Sequence, residues 1–443
     1  MKAGPVGGVP GELARRLGFW DSFLLSLGIV IGSGVFLTPH SIARDLPSPG
    51  FILAVWVVGG VLSMMGVLAI AELGAMYPEA GGLYVYLREA FGPLPAFLYG
   101  WALFLIIQTG SAATLAVAFN VYAGYFIRLD AGQAKLVSVS LIAGLTFFNC
   151  LGIRQGATLN NCATFLKVGS ILFMATAIFT GGAGAGNFRR PWSLPEGSSL
   201  LFGLGSAMIG ALWAYEGWHM LSFTAGEIRD PQRNFPRALI ASTAVLIGLY
   251  LLANIAYLYA LTVPEIARYQ DVAARSSQRA LGAVAGSFVA AAIMVSIFGA
   301  CHGTILSGPR VFYAMARDGL LFKSLAWVHP RLKTPIVAIL AQGMWTSVLA
   351  LAGTFQQLFS YVIFGGWIFY GLSALAVIVL RRRQPDLARP YRVPLYPWLP
   401  LIFAVMAGLL VVNSLVSSLE SSLYAFAFLA LGIPVYWIRR RLG

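Results

Sequence analysis

The feature that most limits what this chain can fold into is a series of long apolar windows. About twenty apolar residues in an α-helix cross the roughly 30 Å hydrocarbon layer of a bilayer. Windows of that kind recur twelve times, at 19–40, 52–77, 94–127, 135–151, 158–180, 200–224, 237–262, 284–316, 336–353, 357–380, 398–416 and 421–438. Only 10% of the residues are charged, where soluble domains carry about 25%. The windows are continuous apolar runs without the period-two alternation of a membrane β-barrel. An all-α integral membrane protein with twelve transmembrane helices is therefore expected. No apolar leader core precedes the first span, so no cleaved signal is expected.

The net charge of +14 invites a nucleic-acid reading, but its distribution argues otherwise. With both termini in the cytoplasm, twenty Lys and Arg fall in inner segments and eight in outer ones, the positive-inside bias. The basic balance sets orientation and touches anionic lipid headgroups; no nucleic-acid partner is needed to explain it. Cys150, Cys162 and Cys301 all lie in spans, which suits free thiols and not a disulfide framework. Neither a cofactor nor a set of metal ligands is expected.

Two spans are interrupted. In the first, Gly28-Ile29-Val30-Ile31-Gly32-Ser33-Gly34-Val35-Phe36 places glycines and a serine at mid-membrane. A helix broken there exposes N–H groups on one half and C=O groups on the other, and such backbone survives only inside protein or beside a hydrated cavity. The two ends together can hold an anionic and a cationic group. Gly28 and Gly32 also form a close-approach motif between helices, so this stretch alone supports packing and binding alike. Span 6 favours binding. It carries Ala211-Leu212-Trp213-Ala214-Tyr215-Glu216-Gly217-Trp218-His219, whose carboxylate, glycine and aromatics make a poor lipid-facing helix. Spans 1 and 6 hold corresponding places in two five-span halves, the pointer to an inverted-repeat transporter with a midplane site. The halves are 19–180 and 200–380, flanked by a cytoplasmic segment 1–18, a peripheral pair of spans in 398–438 and a cytoplasmic tail 439–443.

Lys167 sits about ten residues into span 5, at a cost of about 3 kcal/mol on insertion scales. It is read as functional or as part of the core. Glu72, near the end of span 2, is read as a cap or ion-pair member. The run Gly181–Gly186 lacks the strand and the Gly-Lys-Ser/Thr of a phosphate loop and is read as a flexible outer loop. Residues 264–282 are expected to form an amphipathic outer lid, and 81–91 a short amphipathic helix on the inner interface. Asn234 is the expected cap, and Pro236 the first turn, of the span-7 helix.

With these residues placed, the chain resembles the amino acid–polyamine–organocation superfamily, and within it the L-amino-acid transporter branch and its bacterial serine/threonine-exchanger relatives. The matching stretches are Ile31-Gly32-Ser33-Gly34-Val35-Phe36, Ala214-Tyr215-Glu216-Gly217-Trp218, the run from Glu227 to Ala238, and Arg317-Asp318-Gly319. The likeness covers about residues 15–385. It implies a five-plus-five inverted-repeat core with discontinuous helices 1 and 6, working by alternating access on small-molecule L-amino acids.

By that resemblance, N–H groups of Gly32, Ser33 and Gly34 would hold the substrate carboxylate. Carbonyls of Val30, Ile31, Trp213 and Ala214 would receive its ammonium, and Trp213 falls where relatives place an aromatic gate. Lys167 matches a lysine that relatives use where sodium-coupled cousins bind a cation. It would tie spans 1, 5 and 8 together and argues against sodium dependence. Glu216 stands where relatives carry glycine or an acidic residue; it could meet a basic substrate side chain or close an ion pair between spans. His219 and His302 stand where many relatives carry asparagine, and each is read as structurally satisfied, with titration near neutrality as the other option. Eukaryotic relatives join a partner through a cysteine after span 3. Residues 128–134 contain none, so no disulfide-linked heavy subunit is expected.

The expected activity is sodium-independent exchange of neutral L-amino acids across the cell membrane, with no catalytic residue. Proton-coupled uptake, including that of cationic amino acids, is the alternative, with Lys167, Glu216 or a histidine titrating. An intramembrane protease built on Ser33 and His302 has no need of twelve spans with paired breaks. A channel would be told from a carrier by a single-channel current.

Overall fold

The computed structural model describes residues 15–151, 153–181, 184, 186–189, 192, 200–417 and 419–442. Most of the 1–18 segment, part of the 181–186 loop and the last residue of the tail lie outside the described residues. The regular elements in order are α1 (Phe19–Val30), α2 (Gly34–Asp45), α3 (Pro49–Met76), α4 (Leu83–Phe91), α5 (Pro93–Ala102), α6 (Gln108–Ala123), α7 (Ala131–Cys150), α8 (Ile153–Thr180) and α9 (Leu200–Tyr215). There follow α10 (Pro231–Ala260), α11 (Val263–Arg268), α12 (Val272–Leu281), α13 (Ala283–Ser307), α14 (Pro309–Arg317), α15 (Ile336–Ala352), α16 (Phe355–Arg383), α17 (Trp398–Ser417) and α18 (Leu419–Leu442). A π-helical turn, Leu103–Ile107, joins α5 to α6.

Among the described residues, ten helical stretches are long and apolar enough to cross a membrane. The other two apolar windows hold shorter helices. One is α15, with 17 residues. The other is α9, with 16, which ends at a turn and continues as a 3-10 segment, Met220–Glu227. Helix starts carry acceptors, or residues that need none, because lipid offers no water to the first N–H groups. Proline opens α3, α5, α10 and α14. Asp130 and Thr354 accept from Gln133 and Gln357 in capping boxes at α7 and α16.

α1 lies among α8, α10 and α13, while α2 packs on α9 and α11. The apolar window of residues 19–45 is 89% buried, against 33% for α17 and 22% for α18, which makes the last two peripheral. Two elements depart from expectation. α10 starts at Pro231, whose fixed φ suits the first helical position; Asn234 is no cap but donates its amide to the Arg229 carbonyl at 2.6 Å, and Pro236 lies inside the helix. α4 does not rest on a surface: six of its nine residues are buried, packed on α5 and α16. Residues 263–281 do form two short helices, α11 and α12, over the far end.

The basic end is held by polar contacts between segments distant in sequence. Glu72 takes a bidentate pair from Arg381, at 2.8 and 2.6 Å, and the Val393 N–H, so it is an ion-pair member. Leu17 forms a parallel bridge with Ile228: the Leu17 N–H donates to Glu227 at 2.9 Å, and the Arg229 N–H donates to Leu17 at 2.8 Å. The Glu227 carboxylate faces Arg310 at 3.0 Å, with the two side chains 1% and 0% exposed. Arg88 pairs with Asp318, which also accepts from the Tyr84 hydroxyl at 2.6 Å. The segments before span 1, after span 6 and after span 8 are thereby joined.

A buried pair of this kind is costly to break from one side, by about 3–5 kcal/mol. Glu227→Gln and Arg310→Met are each expected to lower the thermal unfolding midpoint in detergent markedly, and the double variant to recover more than half of the loss. Single variants as stable as the parent would show that the pair is not holding this end.

Candidate functional site

α1 ends at Val30 and α2 begins at Gly34, with Ile31, Gly32 and Ser33 non-helical between them. Glycine and serine are weak helix formers, and here they stand nearly in succession. Among the described residues no backbone carbonyl accepts from the N–H groups of Gly32, Ser33, Gly34 or Val35, and all four residues are buried. The Ser33 hydroxyl also lacks a partner. Such a cluster is the positive end of the α2 dipole, equivalent to about half a charge, and it suits an anion.

The second break mirrors this chemistry. α9 ends at Tyr215, and residues 216–219 form a turn in which Gly217 takes φ +107°, a conformation that favours glycine. The Glu216 N–H returns to the Trp213 carbonyl at 3.1 Å, while no backbone N–H among the described residues reaches the carbonyls of Leu212, Ala214 or Tyr215. This is the negative end of a helix, set against the positive end of another. The two breaks touch: a Cβ on Gly34 would stand 2.3 Å from the Ala214 Cα. Close approach and exposed backbone thus belong to the same stretch.

Between the breaks lies a cavity of about 20 Å³, walled by Val30, the Gly32–Gly34 backbone, Trp213 and Glu216. That is room for about one water, so the site is closed. Trp213 stacks on Phe359 at 5.8 Å and meets Phe355 edge-on at 6.3 Å, sealing the far side. On the basic side Gln108 donates to the Thr304 carbonyl at 2.6 Å and to the Ser307 hydroxyl at 3.2 Å. Wider hollows lie beyond each seal, about 560 Å³ at the basic end and about 300 Å³ at the far end.

The remaining expected residues divide between the wall and its supports. The Val30 carbonyl accepts from Tyr250 at 3.0 Å and that of Ile31 from Ser296 at 3.2 Å, which engages one lone pair of each. Ile31 and Ala214 back the cavity and do not line it. Glu216 Oε1 accepts from the Tyr370 hydroxyl at 2.5 Å and lies 3.7 Å from His219 Nδ1; among the described residues Oε2 has no hydrogen-bond partner. Among the described residues no Lys or Arg pairs with this carboxylate, so it closes no ion pair between spans with either. His219 sits behind it against the Tyr370 ring, with centroids 4.6 Å apart. His302 lies away from the cavity, its Nδ1 3.1 Å from the Asn149 amide. Lys167 is fully buried and donates to the Gly28 carbonyl at 2.6 Å. Its amine also lies on α13, 3.2 Å from where a Gly299 Cβ would be.

Among the other residues at the wall or behind it are Ser111, Thr304, Met220 and, behind Glu216, Tyr370; Ile29 and Leu115 also line the cavity. The first four come from α6, α13, the 3-10 segment and α16. Ser111 and Thr304 each stand among several polar residues of their helices, so the sequence did not mark them out.

Comparison with known proteins finds relatives along nearly the whole chain. The family profile described as amino acid permease matches residues 17–437. The b(0,+)-type amino acid transporter 1 of Mus musculus is 31% identical over 435 residues, 96% of this chain and 88% of its own length. The cystine/glutamate transporter of Homo sapiens is 30% identical over 442 residues, 98% of this chain and 87% of its own. The serine/threonine exchanger of Bacillus subtilis (strain 168) is 30% identical over 428 residues, 96% and 97% of the two chains.

Contact between the breaks makes Gly34 the most sensitive position. Gly34→Ala is expected to force α2 from α9 and lower substrate flux by at least about tenfold, overpacking of this kind costing 1–3 kcal/mol. Gly248→Ala, where an added Cβ meets nothing within 4 Å, should leave flux unchanged. Equal activity of the two variants in a liposome uptake assay would contradict the crossing.

Proposed function

The chain belongs to the amino acid permease family, within the amino acid–polyamine–organocation superfamily, and we propose that it is a sodium-independent exchanger of neutral L-amino acids working by alternating access. The observation that carries this reading is the set of four buried N–H groups at Gly32–Val35, three of them on residues that line a cavity beside the carbonyl end of α9. A zwitterion's carboxylate fits the first and its ammonium the second, so both charges are met without a fixed counter-ion. Exchange follows from the same groups. An amino acid supplies the missing acceptor and donor, lowering the cost of closing the site, whereas an empty site closes with its polar groups unsatisfied and returns slowly.

Trp213, stacked on Phe359 and edge-on to Phe355, acts as the outer gate. The Lys167 amine on the Gly28 carbonyl is the fixed cation where a sodium ion would otherwise be coordinated. Residues 19–180 and 200–380 are taken as the two inverted repeats, with twelve crossings and both termini in the cytoplasm on the strength of the charge bias. The reading asks for no enzymatic step and for no disulfide-linked partner, since the three thiols all lie in helices.

One observation favours a second reading. Glu216 lines the cavity, and among the described residues its Oε2 has no hydrogen-bond partner, so it could receive a basic substrate side chain or a coupled proton.

Counterflow in proteoliposomes separates the two. Efflux of preloaded labelled amino acid is expected to rise at least about tenfold when unlabelled neutral amino acid is added outside, whether sodium or potassium is present. Efflux that ignores external substrate but follows a pH gradient would overturn exchange. Glu216→Gln should preserve neutral exchange; loss of lysine and arginine transport alone in that variant would establish the second reading.

A further inference from the structure

The hollow of about 300 Å³ at the far end has a built interior. One wall is a single face of α2: Leu37, Ser41 and Arg44 recur at i, i+4 and i+7. The floor is Phe355 and Phe359, the rings that contact Trp213, so an occupant would rest against the proposed gate. Gln270 and Gln356 add neutral donors and acceptors on the remaining sides.

Arg44 is the group without an assignment. Its neighbour in sequence, Asp45, accepts from Ser206 at 2.6 Å, and His40 shares the lining one turn earlier. Among the described residues Arg44 itself makes no ion pair. Its planar fork matches a carboxylate through two parallel hydrogen bonds. At 1.5 Å per residue it stands about 15 Å along α2 from Gly34, so both positions belong to one helix, with Pro39 between them. We propose that this vestibule is an outer substrate site, in which Arg44 takes the α-carboxylate of an amino acid while its side chain rests on Phe355 and Phe359, before Trp213 moves. An amino acid would then pass from a guanidinium to the N–H cluster of the same helix, and its carboxylate would be met by positive charge at both stations. The inference rests on the transport reading above.

The test is the exchange KM measured from each face of the full chain in oriented proteoliposomes. Arg44→Gln is expected to raise the outer KM roughly fivefold, the scale of one exposed charged contact, with the maximal rate and the inner KM unchanged. Arg44→Lys should recover part of the loss. An outer KM that does not change, or outer and inner values that rise together, would overturn the outer site while leaving exchange intact. Wild-type liposomes that fail to exchange at all would instead bring down the transport reading, and this one with it.

Discussion

A peptide N–H held away from water without an acceptor costs several kcal/mol, and this chain gathers four of them at Gly32–Val35. Everything around the break can be understood as support for that arrangement. α1 and α2 cannot close their ladder across Ile31–Ser33, and α9 cannot extend past Tyr215. Each stub would be intolerable alone. Placed against one another, with Gly34 on Ala214, they form a dipolar cleft with N–H groups on one side and the carbonyl end of a helix on the other. On the proposed transport reading, a bound zwitterion would fill that deficit.

The closed cavity follows from the same requirement. Its walls come from both breaks, and the seals on either side are of different kinds: stacked aromatic rings toward the far end, amide and hydroxyl contacts toward the basic end. Wider hollows lie at the basic end and at the far end. At the basic end, the Leu17–Ile228 bridge and the Glu227–Arg310 pair fasten the approaches to spans 1 and 6 to the end of span 8. Movement that opens this face has to rearrange those contacts as a group, which suits an all-or-none switch between two arrangements more than a gradual widening.

Much of this was legible in the sequence because lipid imposes simple rules. Helix positions follow apolar run length, so residues 135–151 emerge as Ala131–Cys150 and 336–353 as Ile336–Ala352. The breaks stand out since Gly, Ser and Glu interrupt two spans at corresponding places in the two halves. What was not legible is how helices far apart in sequence meet. Ser111, Thr304 and Tyr370 reach the site through the packing of α6, α13 and α16, which spacing along one helix does not encode. For the same reason His302, adjacent to the polar run of span 8, turns to Asn149 and not to the cavity. The α4 segment was read from its amphipathic pattern as interfacial, but that pattern cannot tell a membrane surface from a groove between helices. Pro231 and Pro236 both fit a first turn, and only the backbone path through Asp230 decides between them.

The most direct measurement of the central claim is a cryo-electron microscopy structure of the chain with its best-exchanged L-amino acid bound. The account predicts substrate carboxylate oxygens within about 3 Å of backbone nitrogens in Gly32–Val35, and the ammonium facing the carbonyl end of α9. A bound amino acid whose carboxylate lies elsewhere, or an unbroken α-helix running from Val30 through Gly34, would contradict it.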